Sequence, residues 1–375
     1  MSPPPPLRVW LLCTGLGRVA RGFETVTAET VLALHAEPGL ALRVFQGGPT
    51  ALPHATTVWN LPRAGATNRA IAGLLRWEPY FLEQATFALP IAARLLLDPP
   101  ELLVFSDLNL GNALWHLRRR TGGRYRMLFV NGGGSTAPFT RCDLVQHVTH
   151  LSANAAIARG EPGERQRVLP HALALDAHAP VFDRAAERSR LGLPVNRPIV
   201  VSVGVLSAHE KRMDYVIDEV AACAPRPHLL LLGQRASDTE AILARATARL
   251  GADGFTARTL PRDGVAEQLR VADAFVMASR GEGFGLVYIE ALAQGLPVIA
   301  DDNPLTRELL APIATLAPLA EAGALTRALT AALAGADGGT TREARARFVH
   351  ERFSWDALRE RYVALYRDAA AAPLT

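Results

Sequence analysis

Short apolar runs recur along the chain, each followed by a glycine or polar turn and then a longer segment with helical spacing. Residues 7–12, 42–45, 102–105 and 127–130 read as strands in the first half; residues 198–203, 228–232, 274–278 and 297–300 do so in the second. Most of these runs are continuously apolar rather than alternating, as strands covered on both faces are. Their alternation with helical segments predicts βα units, parallel sheets and an α/β fold. No short repeat of the solenoid kind is present.

The pattern pauses between Leu169 and Arg197, where prolines and charges replace strand-like runs, and restarts with a fresh strand and turn at 199–204. At 375 residues the chain is too long for one ordinary core, so two Rossmann-like domains joined near residue 175 are expected. The boundaries read as 7–175 and 190–350, followed by a terminal helix at 351–372. There Trp355, Leu358, Tyr362, Leu365 and Tyr366 form one apolar stripe that needs a surface to cover. Residues 71–97 mix Leu, Trp, Phe and Tyr with few charges, and read first as a core helix and second as a membrane-surface or acceptor-groove helix.

Composition narrows the class. Hydrophobic residues at 49% and charged residues at 20% exclude a disordered chain. The three cysteines, Cys13, Cys142 and Cys223, are odd in number and far apart, which fits a reducing, cytoplasmic compartment rather than a disulfide scaffold or a Cys-rich zinc site. The run MSPPPP reads as a short flexible proline segment, and the apolar stretch after it lacks the charged start and cleavage site of a signal peptide. No apolar run is long enough for a transmembrane helix.

The net charge is +4, and the chain contains a single lysine, Lys211. Residues 1–180 hold 17 arginines against 12 acids, a balance that suits an ordinary solvated surface and also an anionic acceptor or lipid surface. Basic residues are not interleaved with aromatics as a nucleic-acid surface would require, so no nucleic-acid partner is expected.

Four glycine-containing turns follow strands. SRGEGFGLVYIE at 279–290 puts Glu282 in a loop and Glu290 inside the helix that follows, with Gly295 as its stop. Ligands of open α/β sheets sit at such strand ends, and helix starts with nearby glycines favour anions. VGVLSAHEKRMD at 203–214 carries Gly204 and then the basic pair Lys211 and Arg212 at a helix entry; a compact ammonium beside a diphosphate would explain the lone lysine, as would a surface survivor of drift. TGLGR at 14–18 holds Gly15 and Gly17, half of a dinucleotide fingerprint, but no acid closes a second strand as NAD binding requires. NGGGS at 131–135 is either a loop lining a cleft or a plain turn. His147 and His150 have ligand-like spacing but no completing acid or cysteine, and read as structural histidines; no metal site is expected.

With these motifs the chain resembles retaining glycosyltransferases of the GT-B fold, in glycosyltransferase family four. The likeness covers nearly the whole chain and is strongest at 198–310. RGEGFGLVYIEALAQGLPVIA is similar to that family's pair of glutamates separated by seven intervening residues, and HEKRMDYVIDE to its phosphate-binding lysine and helix. CDLVQHVTHLSANAAIARGEPGERQRVLPHAL resembles the end of its first domain, and FSWDALRERYVALY its crossing terminal helix.

The resemblance implies a GT-B architecture: two Rossmann-like domains facing a central cleft, with the C-terminal helix crossing back to the first. It implies that Glu290 holds the nucleotide ribose, and that Glu282 with the backbone of Gly283, Phe284, Gly285 and Leu286 holds the donor sugar and distal phosphate. Lys211 would neutralise the diphosphate, Gly15 and Gly17 would face the donor from the first domain, and Leu260 to Arg262 would lie near the base. Two departures stand out. Val205 occupies the place where the family often has an arginine, so Arg212 or Arg280 would compensate; FSDLNLGN puts Asp107 or Asn109 where the family often has a histidine.

The implied reaction is metal-independent transfer of a hexose, with retention, from a UDP- or GDP-linked sugar to a glycan, lipid-linked or small-molecule acceptor. The leaving phosphate would help to deprotonate the acceptor, and no cofactor is implied. The expected location is cytoplasmic, with a peripheral contact at the inner membrane surface left open. Two alternatives share the fold: a nucleotide-sugar 2-epimerase-like enzyme, and a non-catalytic nucleotide-sugar-binding partner of another transferase. The intact Gly-Phe-Gly signature favours transfer over the first, and the retained glutamates and lysine count against the second.

Overall fold

The computed structural model describes residues 5–19, 21–335 and 341–375, so residues 1–4 of the proline run lie outside the described residues. The chain forms two compact units. The first comprises Met1–Ala174 with Trp355–Thr375, and the second is Leu175–Ser354.

The first unit is built on strands β1 (Leu7–Cys13), β2 (Leu40–Gln46), β3 (Ala55–Thr57), β4 (Leu102–Phe105), β5 (Arg126–Asn131), β6 (Leu144–His147) and β7 (Gln166–Val168). They make one parallel sheet in the order β3-β2-β1-β4-β5-β6-β7. Helices α1 (Gly22–Leu34), α2 (Ala66–Leu75), α3 (Pro79–Leu97), α4 (Leu108–Thr121) and α5 (His150–Ala158) connect them. The continuous apolar runs are explained by burial of alternate residues on opposite faces. Val9, Leu11 and Cys13 of β1 enter one core, whereas Trp10 and Leu12 enter the other.

The second unit has helix α6 (Arg184–Arg190) and strands β8 (Ile199–Val203), β9 (His228–Leu232), β10 (Phe255–Arg258), β11 (Ala274–Met277), β12 (Val298–Asp301) and β13 (Thr315–Ala317). These strands are parallel, in the order β10-β9-β8-β11-β12-β13. Its other helices are α7 (Met213–Ala221), α8 (Thr239–Leu250), α9 (Arg262–Val271), α10 (Leu286–Ala293), α11 (Pro304–Leu310), α12 (Ala324–Leu333) and α13 (Arg342–Phe353). After Ser354 the chain returns to the first unit as α14 (Trp355–Ala371), whose Trp355, Leu358, Tyr362, Leu365 and Tyr366 complete the core on the α1 side of the first sheet.

Residues 71–97 depart from the single core helix that their composition suggests. Arg76 adopts a left-handed conformation (φ 54°) and ends α2, and Pro79 then opens α3. Only one face of α3 is buried: Leu82, Phe87, Ile91 and Leu95 pack inward, while Leu89, Leu96 and Leu97 are exposed. The structure also contains five short strands that the apolar runs do not announce, β3, β6, β7, β10 and β13.

Candidate functional site

In both sheets the strand order reverses beside the first strand of the unit, between β1 and β4 and between β8 and β11. Loops leaving the C-terminal ends of such neighbours diverge to opposite faces and open a crevice. Three of the glycine-containing turns, those at 14–18, 203–214 and 279–290, occupy these positions.

In the second unit, β8 ends at Val203 and β11 at Met277. The loops after them are tied together: Ser279 Oγ donates to the Glu210 carbonyl at 3.2 Å, and Arg280 N donates to the same oxygen at 3.2 Å. Across this join Lys211 Nζ donates to Glu282 Oε1 in an ion pair whose side chains are 17% and 16% exposed. Gly204 gives the lysine its path, since a β-carbon there would lie 3.0 Å from Lys211 Cδ and Cγ. Gly233, at the end of β9, packs backbone to backbone on Gly204, and a β-carbon on it would lie 1.6 Å from the Gly204 carbonyl oxygen.

The Glu282 loop then enters α10 through Gly285 (φ 77°). Phe284 is buried edge-on against Phe353, and Tyr288 edge-on against Phe275, so aromatic packing fixes the loop from both sides. In the first turn of α10, Tyr288 N donates to the carbonyl of the N-cap residue Gly285 at 3.0 Å, and the N–H groups of Leu286 and Val287 precede the first bond along the helix. Further along, Glu290 accepts from Arg262 at 3.0 Å, which joins α10 to the first residue of α9, with Leu260 two residues earlier. This unit therefore gathers Gly204, Lys211, Glu282, Gly283, Phe284, Gly285 and Leu286, and links Glu290 to Arg262.

Two arginines do not join them through their guanidinium groups. Arg212 (φ 49°) donates to the Leu319 carbonyl at 2.9 Å and stacks on Tyr215, 4.1 Å from the ring centroid. Its guanidinium is engaged there rather than beside Val205. The Arg280 side chain is exposed.

In the first unit, the loop after β1 is closely packed. A β-carbon on Gly15 would meet Glu24 Oε1 at 2.2 Å, and one on Gly17 (φ 83°) would meet the Gly48 backbone at 2.5 Å. Asp107, after β4, is 3% exposed; its Oδ2 accepts from Thr14 N at 3.3 Å and Thr14 Oγ1 at 2.8 Å, and its Oδ1 accepts from the Tyr80 hydroxyl. Both carboxylate oxygens thus hold partners, Oδ2 on Thr14 and Oδ1 on Tyr80. Asn109 is exposed, and its N–H donates to Gln84 Oε1 at 3.1 Å.

Sequence reasoning missed the surroundings of Tyr80. Arg63 lies over its ring at 3.7 Å and Arg21 at 5.4 Å, and the two arginines pair with Glu83 and Glu24. Burial, and then the Asp107 charge, push the Tyr80 hydroxyl above its ordinary range. The available signal was Glu83, an acid inside an otherwise apolar helical stretch.

The other sequence features are structural. Asn131 closes the NGGGS turn on itself, accepting from Gly133 N at 3.2 Å and Ser135 N at 3.3 Å and donating to the Ser135 carbonyl at 3.0 Å. His147 is buried between Gln166 (2.8 Å) and Ser152 (3.2 Å), and burial lowers its pKa. Burial also pushes the Cys142 thiol up to about 12.

Comparison with known proteins places this geometry. Residues 197–335 match the family model described as glycosyl transferases group 1. The D-inositol 3-phosphate glycosyltransferase of Jonesia denitrificans is 36% identical over 153 residues, covering 37% of this chain and 36% of that protein. The lipopolysaccharide core mannosyltransferase LpsB of Rhizobium meliloti is 29% identical over 149 residues, covering 38% and 42%. The chain thus spans well under two thirds of the length of these relatives.

Similarity to solved structures extends over nearly the whole chain. Sucrose-phosphate synthase from Thermosynechococcus elongatus superposes with a TM-score of 0.77 at 22% identity, covering 96% of this chain and 98% of that one. Anabaena HepE, solved in complex with UDP-glucose, gives 0.75 at 16% identity, covering 96% and 99%. The chain has the GT-B fold, and its residues 197–335 are similar to the glycosyl transferases group 1 family.

Proposed function

We propose that the chain is a retaining hexosyltransferase that moves a sugar from a UDP- or GDP-linked donor to a glycan, lipid-linked or small-molecule acceptor without a divalent metal. The observation that carries this reading is the Lys211–Glu282 pair, held between two glycine loops at the switch point of the second sheet. The group 1 match over the same residues supports it.

Breaking a sugar–phosphate bond leaves positive character on the sugar and adds negative charge to the departing diphosphate. In this proposal the Lys211 ammonium and the first-turn N–H groups of α10 stabilise that growing charge, a role a metal fills elsewhere. Glu282, already the partner of Lys211, fixes the ammonium and presents its carboxylate to the donor sugar. Glu290 accepts from the ribose hydroxyls, releasing Arg262 toward the base near Leu260. The leaving phosphate takes the acceptor proton on the face it departs from, which preserves the anomeric configuration.

Thermal unfolding with UDP, GDP and their hexose conjugates tests the donor site, because a ligand of the folded state raises the melting temperature. A favoured nucleotide sugar is expected to do so with a chelator present. No shift with any nucleotide sugar, or turnover lost in chelator and restored by magnesium or manganese, overturns the reading.

A further inference from the structure

Lys211 stands in a loop with little apolar anchorage. Of residues 204–212, Leu206 is buried, Val205, His209 and Glu210 are exposed, and the others are half-buried. The course of such a loop is set by its hydrogen bonds. At its far end the Glu210 carbonyl is tied to Ser279 and Arg280. At its near end the ties go to the segment that follows β9. Leu206 N donates to the Gln234 carbonyl at 2.9 Å, and the Leu206 carbonyl accepts from Thr239 Oγ1 at 2.8 Å. Asp238 Oδ2 then accepts from both Ser207 Oγ at 3.0 Å and Ala208 N at 2.9 Å.

Asp238 is the N-cap residue of α8. An aspartate there ordinarily turns its carboxylate onto the first N–H groups of its own helix. This one makes no such bond; its carboxylate reaches instead across to the loop after β8. Ser207 passes the constraint on in both directions: its Oγ accepts from His209 N at 3.1 Å, and its carbonyl accepts from Met213 N, the first residue of α7, at 3.1 Å. One carboxylate oxygen thus organises the chain on either side of Lys211.

We propose, on the reading of Lys211 as the diphosphate ligand, that Asp238 is the residue that positions it: the carboxylate holds Ser207 and Ala208 so that the ammonium lies opposite Glu282. Charge makes the proposal distinctive. An acid near a diphosphate repels it, so if Asp238 acted only through its charge, removing it would strengthen diphosphate binding. A positioning role has the opposite sign, because a lysine on a loosened loop must be ordered again at each binding event.

The test is calorimetric binding of UDP and GDP, and of uridine and guanosine, to the full chain and its variants. The wild-type chain is expected to bind one of the diphosphates. Asp238→Ala should weaken that diphosphate on the order of tenfold and leave the matching nucleoside unchanged, since the nucleoside lies toward Glu290. Asp238→Asn keeps an acceptor oxygen for Ser207 and Ala208 and should retain most of the affinity. In a Lys211→Ala background, Asp238→Ala should weaken binding no further, as expected of a residue that acts through another. Diphosphate affinity in Asp238→Ala equal to or above wild type overturns the proposal. So does a loss that extends to the nucleoside, that Asp238→Asn does not relieve, or that adds in full to Lys211→Ala. These outcomes leave the donor-site reading standing, whereas a wild-type chain that binds neither diphosphate overturns both.

Discussion

Lys211 and Glu282 lie 71 residues apart in the chain, yet they share one hydrogen-bonded ion pair across the loops that follow β8 and β11. If this ammonium meets the diphosphate, Lys211→Ala lowers turnover by roughly a hundredfold, equivalent to ~3 kcal/mol of transition-state stabilisation. Lys211→Arg is also impaired, because a planar fork does not fit the path along Gly204. Melting temperatures fall modestly in Lys211→Ala, since Glu282, only 16% exposed, loses its donor at a cost of about 1–3 kcal/mol. Turnover and thermal unfolding measured together decide it: wild-type turnover in Lys211→Ala returns the residue to a surface role.

The two glutamates separate by kinetic signature. Glu290→Gln weakens nucleotide affinity, because it touches a part of the ligand remote from the reacting bond. Glu282→Gln lowers turnover more than affinity, because its partner and its sugar contact act where charge develops. Steady-state kinetics with varied donor concentration check both, and equal effects on KM and kcat in the two variants would remove the distinction.

Tyr80 is expected to act through structure. Tyr80→Phe leaves the buried Asp107 carboxylate short of one donor, at a cost of ~1–3 kcal/mol. For a unit of this size that lowers the melting temperature by roughly 5 °C. Tyr80→Phe unfolding at the wild-type temperature would show that the hydrogen bond contributes nothing to stability.

Acid stability follows from two histidines. Burial holds His171 at a pKa of about 4, and burial followed by the Arg197 charge holds His228 at about 4. Between an ordinary value near 6.5 and about 4, the unfolded chain takes up protons at these imidazoles that the folded chain refuses. Stability is therefore full above pH ~6.5 and falls as pH drops toward 4, by ~3 kcal/mol for each fully buried imidazole. Denaturant unfolding across that range in His171→Gln should show a shallower loss; an unchanged pH slope would remove His171 from the account.

The central strands were legible because both faces are buried, which makes each one a continuous apolar run. The missed strands lie further out and are short: Gln166–Val168, Thr315–Ala317 and Ala55–Thr57 have three residues each, too few for a pattern. Leu144–His147 mixes two apolar with two polar residues, although all four are buried. In the candidate site, glycine spacing marked the loops, but spacing could not show that Lys211 meets Glu282. Nor could it show that Asp107 spends both oxygens on Thr14 and Tyr80, since those partners come from three separate segments of chain.

The return of α14 to the first unit sets an order of events during synthesis. The second unit is contiguous, so its whole sheet and core are available once Ser354 has emerged from the ribosome. The first unit begins earlier but finishes later, because Trp355, Tyr362 and Tyr366 are part of its core. Its sheet therefore waits, one face incompletely covered, while about half the chain is made. The N-terminal unit is the one exposed to chaperones and to aggregation during translation, against the usual N-to-C succession of domains.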